Sequence, residues 1–257
     1  MKTIVITGAS GGIGAALARH LGREGHRLVL AARRINELNE VAAGSGANTI
    51  TLRADVTRRG DVIRIRDEAI RAFETVDVWI NNAGRGISRQ TLDLTDDDLD
   101  EMMAVNVKSA LYGAQAIVPH FLERGRGHLI NISSFLGRVP LATHRSAYNA
   151  AKAALNALTA NLRVDLHRKN PNIHVSLVMP GLVTTEFAKN VRGEASAVAP
   201  PWVSGGQAPP PVQTPEEVAA AISSVIENPV AEMYTNPANA ALARRYLDDV
   251  GAFEATL

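Results

Sequence analysis

The stretch TIVITGASGGIG, Thr3 to Gly14, decides the fold because it predicts a buried strand, a glycine-rich turn and a helix in direct succession. Gly8, Gly12 and Gly14 allow tight turning and close approach of the backbone to a ligand. The helix that follows would offer unpaired N–H groups to a pyrophosphate. In this context the spacing TGxxxGxG, which is not GxGxxG, predicts a dinucleotide site. A glycine-rich turn without a ligand is the alternative.

Six further apolar runs follow, each separated from the next by a helical pattern. They read RLVLAA, NTITLRADV, DVWINNAG, GHLINISS, HVSLVMPG and AEMYTNP, starting at Arg27, Asn48, Asp77, Gly127, His174 and Ala231. Continuous apolar strands alternating with helices indicate a parallel sheet covered on both faces. The sequence therefore predicts an α/β, doubly wound, Rossmann-type fold, with residues 1–257 forming a single domain.

The composition argues against several classes of function. The net charge is +1 with 21% charged residues, and the arginines are scattered, so no basic stripe marks a nucleic-acid surface. The chain has no cysteine, which excludes disulfides and thiolate metal or redox chemistry. No apolar stretch approaches the ~18 residues of a membrane span, and the start MKTIVITGAS does not have the pattern of a signal peptide. We therefore expect a soluble, cytoplasmic protein with no nucleic-acid, membrane or metal partner.

Two helix starts and one long loop are also visible. Thr95 with Asp98, and Thr214 with Glu217, have the spacing of a capping box. The acidic run TDDDLDE at Thr95 is therefore interpreted as a cap with a solvated face rather than a metal site. The segment 187–213 is rich in Gly, Pro and Ser and predicts a long loop.

The stretch SAYNAAKAAL, Ser146 to Leu155, predicts a helix on which Tyr148 and Lys152 lie four residues apart. Side chains at this spacing are neighbours on one face. The pair is either a solvated surface feature or a cation placed beside a phenol. A cation ~4 Å away at an effective dielectric of ~20 would lower the tyrosine pKa by roughly three units before desolvation opposes it.

Seven motifs in order make the sequence resemble the short-chain dehydrogenase/reductase family. They are TGASGGIG at Thr7, ADV at Ala54, NNAG at Asn81, VNV at Val105, ISS at Ile132, YNAAK at Tyr148 and PGLVTT at Pro180. The resemblance covers nearly the whole chain. It implies a sheet of seven parallel strands, a small-molecule carbonyl or alcohol substrate and a homodimer or homotetramer, with the loop at 187–213 as a substrate lid.

The resemblance assigns a catalytic tetrad to Asn106, Ser134, Tyr148 and Lys152. Tyr148 would exchange the proton, and Ser134 would hold the substrate oxygen. Lys152 would tune the tyrosine and bind the nicotinamide ribose, while Asn106 would hold a water in a proton relay.

One departure from the family concerns the serine. Most relatives place it thirteen residues before the tyrosine, whereas Ser134 lies fourteen before Tyr148 and Phe135 occupies the usual position. We expect a one-residue insertion in the loop GRVPLATHRS. Ser134 is preferred to Ser133 because neighbouring residues of a strand point to opposite sides.

The cofactor is expected to be NADP(H) rather than NAD(H). NAD-using relatives place an acid after the second strand, but here that position is Ala32, followed by Arg33 and Arg34. Guanidinium groups match phosphate geometry, so Arg33 is the expected 2′-phosphate ligand, with Arg34 and Ser10 as further partners. The other assigned cofactor-binding residues are Gly8, Gly12, Ile13, Gly14, Asp55, Val56, Asn82, Ala83, Gly84, Tyr148, Lys152, Pro180, Gly181 and Thr185. Asp55 as a cap of the next helix, and Asn82 with Gly84 as a simple turn, are the alternatives.

These features predict an NADP(H)-dependent oxidoreductase that interconverts a ketone or aldehyde and an alcohol. A cofactor-binding regulatory protein, or a lyase or epimerase on the same scaffold, would share most of the motifs. The substrate pocket is expected to be lined by Phe135, Leu136 and Val139, by the segment after Gly84, and by the lid loop with Trp202. Four arginines in nearby loops leave an anionic substrate open, namely Arg85, Arg89, Arg138 and Arg145.

Overall fold

The computed structural model of the chain describes residues 1–185 and 212–257. Its centre is one seven-stranded sheet in which every pairing is parallel. The strands are β1 Thr3–Thr7, β2 Arg27–Ala32, β3 Thr49–Arg53, β4 Val78–Asn81, β5 Gly127–Ile132, β6 Ile173–Met179 and β7 Glu232–Tyr234. Each of the seven apolar runs forms one strand, so the predicted α/β doubly wound sheet is confirmed.

Helices connect the strands and cover both faces of the sheet. They are α1 Gly12–Arg23, α2 Ile35–Ala43, α3 Arg59–Phe73, α4 Asp96–Met103, α5 Ser109–Arg124, α6 Ser146–His167, α7 Pro215–Glu227, α8 Ala238–Asp248 and α9 Val250–Glu254. Short 3₁₀ turns lie at Thr91–Asp93 and Phe135–Gly137. A π-helical segment, Ala104–Lys108, joins α4 to α5.

The core consists of two apolar layers, one on each face of the sheet. Ile4 and Ile6 of β1 enter the layer beneath α1 and α7, whereas Val5 enters the layer beneath α3 and α5. This alternation is the period-two pattern of a strand, and burial on both faces explains why the strands read as continuous apolar runs.

The strand order β3-β2-β1-β4-β5-β6-β7 has its reversal between β1 and β4. The chain leaves β1 toward β2 and β3, then returns to form β4 on the other side. A crevice opens at the carboxyl ends of the strands at such a point, and ligands of doubly wound sheets bind there.

Both predicted capping boxes are present. The Thr95 hydroxyl accepts from the Asp98 amide at 3.2 Å, and Thr214 accepts from Glu217 at 3.1 Å. The acidic run after Thr95 is thus a helix start, as expected. Among the described residues no helix has the length and apolarity to cross a membrane. Nearly all of the expected lid loop, 187–213, lies outside the described residues.

Candidate active site

The glycine loop after β1 is tightly packed against the loop after β4. Gly8 has a φ of +68°, and a Cβ on it would lie 2.7 Å from the Ala83 Cα. A Cβ on Gly14 would lie 2.5 Å from the Gly8 carbonyl oxygen. The Asn82 side-chain amide donates to the carbonyl oxygens of Thr7 and Gly8 at 2.9 and 3.2 Å. Asn82 therefore holds the glycine loop in place, which is more than the simple turn of the alternative interpretation.

A cavity of about 520 Å³ runs along the carboxyl ends of the strands. Its wall includes nearly all of the residues assigned from the sequence: Gly8, Ser10, Gly12, Ile13, Arg33, Arg34, Asp55, Val56, Asn82, Ala83, Gly84, Ser134, Tyr148, Lys152, Pro180, Gly181 and Thr185. Gly14 lies behind the loop and Asn106 behind the wall. The structure thus brings the expected cofactor residues and the expected catalytic residues to a single cavity.

One end of the cavity is cationic. The Arg34 guanidinium donates through Nε to the Ser10 hydroxyl at 3.3 Å and through Nη2 to the Ser10 carbonyl oxygen at 3.4 Å. Arg33 lies on the same wall, and Ala32 presents no carboxylate there. Glu37 lies 3.8 Å from Arg34, on the solvent side of the pair, where both side chains are almost half exposed.

Asp55 lies at this end, in the turn before α3. Its Oδ1 accepts from the Thr57 amide at 3.0 Å and from the Thr57 hydroxyl at 2.7 Å. The carboxylate therefore stabilises the turn that leads into the helix, which is close to the capping role given as the alternative. Asp55 also remains on the cavity wall.

Tyr148 and Ser134 are hydrogen-bonded at the other end of the cavity. Burial raises the pKa of Tyr148, while the Ser134 hydrogen bond and then the positive charge of Arg145 lower it. Ser133 points elsewhere, because its hydroxyl donates to the Asn156 Oδ1 at 2.5 Å. Of the two serines, it is Ser134 that meets the tyrosine.

Lys152 is buried, and its ammonium donates to the Ile132 carbonyl oxygen at 2.9 Å. Its Nζ lies 5.6 Å from the centroid of the Tyr148 ring. Burial lowers the pKa of Lys152 to about 8. The groups that lower the Tyr148 pKa in this structure are Ser134 and Arg145, and the expected effect of Lys152 on the phenol stays a prediction.

Asn106 lies in the π-helical segment Ala104–Lys108, where an extra residue widens one turn of the long helix. Its Nδ2 donates to the carbonyl oxygens of Arg85 and Met102 at 3.0 and 3.1 Å, and its Oδ1 accepts from the Arg85 amide at 3.3 Å. A Cβ on Gly84 would lie 2.9 Å from that Oδ1 and 3.6 Å from the Lys152 ammonium. Asn106 and Lys152 thus both approach Gly84.

Two expectations about the substrate pocket are wrong. Phe135 and Val139 do not lie on the cavity wall but in a buried cluster with Ala243 and Phe253 of α8 and α9. Of these three residues Leu136 faces the cavity, and Arg85, in the segment after Gly84, borders it as well. The cluster forms because the C-terminal helices cover the segment after β5, a long-range contact that local patterning does not encode.

The four nearby arginines differ in their surroundings. Arg89 lies 3.2 Å from the Asp98 carboxylate and Arg138 lies 2.7 Å from that of Glu232. Arg85 pairs with Glu101 and, like Arg145, borders the cavity.

Comparison with known proteins agrees with this geometry. A family model described as short chain dehydrogenase matches residues 2–196. The chain belongs to the short-chain dehydrogenase family. An uncharacterized oxidoreductase of Bacillus subtilis, YxnA, is 33% identical over 246 residues, which cover 94% of this chain and 67% of that protein. An uncharacterized oxidoreductase of Staphylococcus epidermidis is 34% identical over 204 residues, which cover 77% of this chain and 87% of that protein.

Two solved structures of dehydrogenases superpose closely on this chain. One from Burkholderia phymatum, in complex with NAD, has a TM-score of 0.86 at 27% identity and covers 98% of this chain and 94% of its own. An alcohol dehydrogenase from Thermococcus sibiricus, complexed with 5-hydroxy-NADP, has a TM-score of 0.76 at 27% identity, covering 91% and 95%. The chain is therefore an oxidoreductase of the short-chain dehydrogenase family with its nucleotide-binding Rossmann fold.

Sequence reasoning missed two residues of the site. Arg145, considered only as a cation for substrate, lies close enough to Tyr148 to influence its pKa. Asn156, which follows Lys152 by one turn of α6, bonds the segment that carries Ser134. Its position on the face shared with Lys152 is the only sequence signal that points to it.

Proposed function

We propose that the protein is an NADP(H)-dependent carbonyl reductase and alcohol dehydrogenase that interconverts a ketone or aldehyde and an alcohol. The observation that carries this proposal is the hydrogen-bonded pair of Ser134 and Tyr148 in the cavity that begins at the glycine loop. A proton donor and a second hydroxyl are thereby close to each other within reach of a bound nicotinamide cofactor.

The glycine loop fits such a cofactor, because Gly8 and Gly12 have positive φ values of 68° and 54° and leave the space that side chains would fill. When bound, the reduced nicotinamide supplies a hydride to the carbonyl carbon. Ser10, Gly12, Arg33 and Asp55 would hold the adenosine half, and Lys152, Pro180 and Thr185 the nicotinamide half.

The chain's own residues handle the proton. In reduction Tyr148 donates its phenolic proton to the substrate oxygen, and Ser134 donates a hydrogen bond to the same oxygen as negative charge develops. Because burial raises the pKa of Tyr148, the phenol keeps its proton at neutral pH, as an acid must. Lys152 remains mostly cationic below its pKa of about 8 and adds positive charge beside the site.

The preference for NADP(H) is supported by the cationic end of the cavity. Ala32 removes the carboxylate that would repel a 2′-phosphate, and Arg33 and Arg34 supply guanidinium donors on the same wall. Solved relatives bind NAD in one case and an NADP derivative in another, so the choice depends on such local residues.

The test is to incubate the protein with NADPH or NADH and a broad panel of ketones and aldehydes while following cofactor absorbance, with Tyr148→Phe as the matched control. We expect NADPH consumption that depends on the carbonyl compound and on Tyr148. Tight NADPH binding without consumption on any carbonyl compound of the panel would support a regulatory protein instead. Substrate conversion with no net change of cofactor would support a lyase or epimerase.

The family resemblance also supports a homodimer or homotetramer in the cytoplasm. Sedimentation velocity of the purified protein measures the oligomeric state, and fractionation of cells that express the protein measures its location. A monomer across the micromolar range would contradict the assembly.

A further inference from the structure

The end of β5 is attached to α6 at three successive residues. The Ile132 carbonyl oxygen accepts from the Lys152 ammonium, the Ser133 hydroxyl donates to Asn156, and Ser134 bonds Tyr148. The first and third contacts belong to the proposed catalytic residues. The second, between Ser133 and Asn156, has no part in the chemistry described so far.

Asn156 bonds both sides of the tripeptide that begins with Ser134. Its Oδ1 accepts from the Ser133 hydroxyl at 2.5 Å, and its Nδ2 donates to the Gly137 carbonyl oxygen at 3.0 Å. Residues 133 and 137 flank the segment 134–136, so the Asn156 side chain holds both ends of that segment against α6. A side-chain amide is suited to this, because it accepts and donates at once.

The segment between these two contacts has little freedom. The Leu136 amide donates to the Ser134 Oγ at 3.2 Å, and the Phe135 amide donates to the Pro180 carbonyl oxygen at 2.9 Å. A Cβ on Gly137 would lie 2.7 Å from the Lys152 carbonyl carbon, so the 3₁₀ turn rests directly on the helix backbone. A shift of the turn along α6 would therefore move the Ser134 hydroxyl relative to Tyr148.

We propose that Asn156 is a positioning residue that sets the distance between the Ser134 hydroxyl and the Tyr148 phenol. Asn156 does not line the cavity and acts through Ser134. The proposal rests on the proposed function for its effect on turnover, but its effect on Tyr148 is independent of any substrate.

The experiment compares Asn156→Leu with Asn161→Leu, which makes the same change at an exposed position of α6. Leucine has the same branched arrangement of heavy atoms as asparagine and removes both hydrogen bonds. Misplacing a catalytic group by about 1 Å can cost 10²-fold, so we expect Asn156→Leu to lower kcat by about 10- to 100-fold. KM and the NADPH dissociation constant should change by less than about twofold. Asn161→Leu should match the wild type in all three.

A protein that also carries Ser134→Ala distinguishes a positioning role of Asn156 from a general effect of Asn156 on stability. In a Ser134→Ala protein the serine hydroxyl is gone, so adding Asn156→Leu should lower kcat by less than about threefold. If Asn156→Leu costs as much in that background as in the wild type, the residue does not act through Ser134 and the proposal is overturned.

The ionisation of Tyr148 is a readout that needs no turnover. It is measured as the pH dependence of tyrosinate absorbance, taken as the difference between each protein and its Tyr148→Phe counterpart. Because the Ser134 hydrogen bond lowers the pKa of Tyr148, Asn156→Leu should raise that pKa toward the Ser134→Ala value. An unchanged pKa would overturn the proposal, even if kcat had fallen.

If Asn156→Leu does not fold, Ser133→Ala tests the same contact, because this variant loses only one hydroxyl group. It should lower kcat by about 3- to 10-fold and raise the Tyr148 pKa in the same direction. If the wild type turns over no carbonyl compound while the Tyr148 pKa shifts as expected, the proposed function fails and the positioning role stands. If turnover is normal and neither variant shifts the pKa, only the positioning role fails.

Discussion

The guanidinium of Arg34 donates to the hydroxyl of Ser10, 3.3 Å away, and so joins the start of α2 to the glycine loop. A Cβ on Gly11 would lie 3.0 Å from the Arg34 Nη2, which shows how closely the guanidinium covers the loop. Arg33, its neighbour, lies on the same wall of the cavity without that contact among the described hydrogen bonds. A phosphate in the cavity could therefore be bound by Arg34 beside the glycine loop and by Arg33 from the solvent side.

The arginines should decide cofactor choice. Loss of a charge-assisted contact of ~1.5 to 3 kcal/mol predicts that Arg33→Ala weakens NADP(H) binding by ~10- to 150-fold and hardly changes NAD(H) binding. Dissociation constants of both cofactors measure this, with Arg34→Ala alongside. The control is Arg126→Ala, an exposed change just before the amino end of β5, whereas the cavity lies at the carboxyl ends of the strands. Tighter NAD(H) than NADP(H) binding in the wild type would refute the assignment.

Removal of the phenol should abolish proton transfer without affecting cofactor binding. General acid catalysis contributes about 10²- to 10⁴-fold, so Tyr148→Phe should lower kcat by that range. The NADPH dissociation constant should stay within about twofold of the wild type. Steady-state kinetics and fluorescence titration measure the two quantities. Retention of most activity would remove the proposed mechanism.

The two neighbouring serines should differ sharply. Ser134→Ala removes a donor to the developing oxyanion and should lower kcat by about 10²- to 10³-fold. Ser133→Ala should cost far less, because that hydroxyl bonds Asn156 instead. Side-by-side kinetics on one substrate decide the order, and the reverse order would show that Ser133 is the catalytic serine.

Gly84 should tolerate no side chain. A Cβ there would lie 2.9 Å from the Asn106 Oδ1, and the asparagine is itself fixed by hydrogen bonds to Arg85. We expect Gly84→Ala to lower kcat by about 10²-fold through displacement of Asn106. The control is Gly60→Ala in α3, where nothing lies within 4 Å of the new methyl group. That change should leave kcat alone and add about 0.5 kcal/mol of stability, which a urea melt measures. Equal kcat values for the two variants would contradict the role of Gly84.

Protonated Lys152 should lower the free energy of unfolding at pH values below the pKa that this lysine has in the folded protein. Its pKa falls from 10.5 to about 8 on burial, so the unfolded chain holds the proton more tightly. Burial of the protonated lysine therefore costs about 3 kcal/mol of stability. This cost has its full value below pH 8 and disappears as the pH rises toward 10.5. The hydrogen bond from its ammonium to the Ile132 carbonyl oxygen offsets about 1.5 kcal/mol of this cost.

We therefore expect the variant Lys152→Met to be about 1 to 2 kcal/mol more stable than the wild type at pH 7. The difference should shrink as the pH rises above 8, the folded pKa of the lysine. Urea denaturation of both proteins across the pH range, without cofactor, measures the difference. A variant that is less stable at every pH would show that the hydrogen bond outweighs the cost of burial.

Much of the fold was predictable because its signals are local. Strand patterns, the strand-to-helix glycine loop and two capping boxes each involve residues within a few positions of one another, and all of them are confirmed. The convergence of Tyr148, Lys152 and Ser134 on one cavity follows from parallel strands ending at one edge.

The remainder depends on contacts between distant segments. The π-helical turn at Asn106 adds one residue to a helix whose periodicity is otherwise ordinary, so the sequence pattern does not reveal it. Phe135 is buried by Phe253, which lies more than a hundred residues further along the chain. The lowered pKa of Lys152 arises from burial that only the assembled site produces.

The strand order also determines when each half of the site exists during synthesis. A growing chain that has reached Arg124 already contains β1 to β4, with the glycine loop, both arginines and Asn82. Ser134, Tyr148 and Pro180 emerge later, and they join strands that pair only on the far side of β4. A premature stop between α5 and β5 would therefore yield a fragment that keeps the side chains proposed to bind the adenosine half of the cofactor and lacks Ser134, Tyr148 and Lys152, the groups proposed to act at the substrate oxygen.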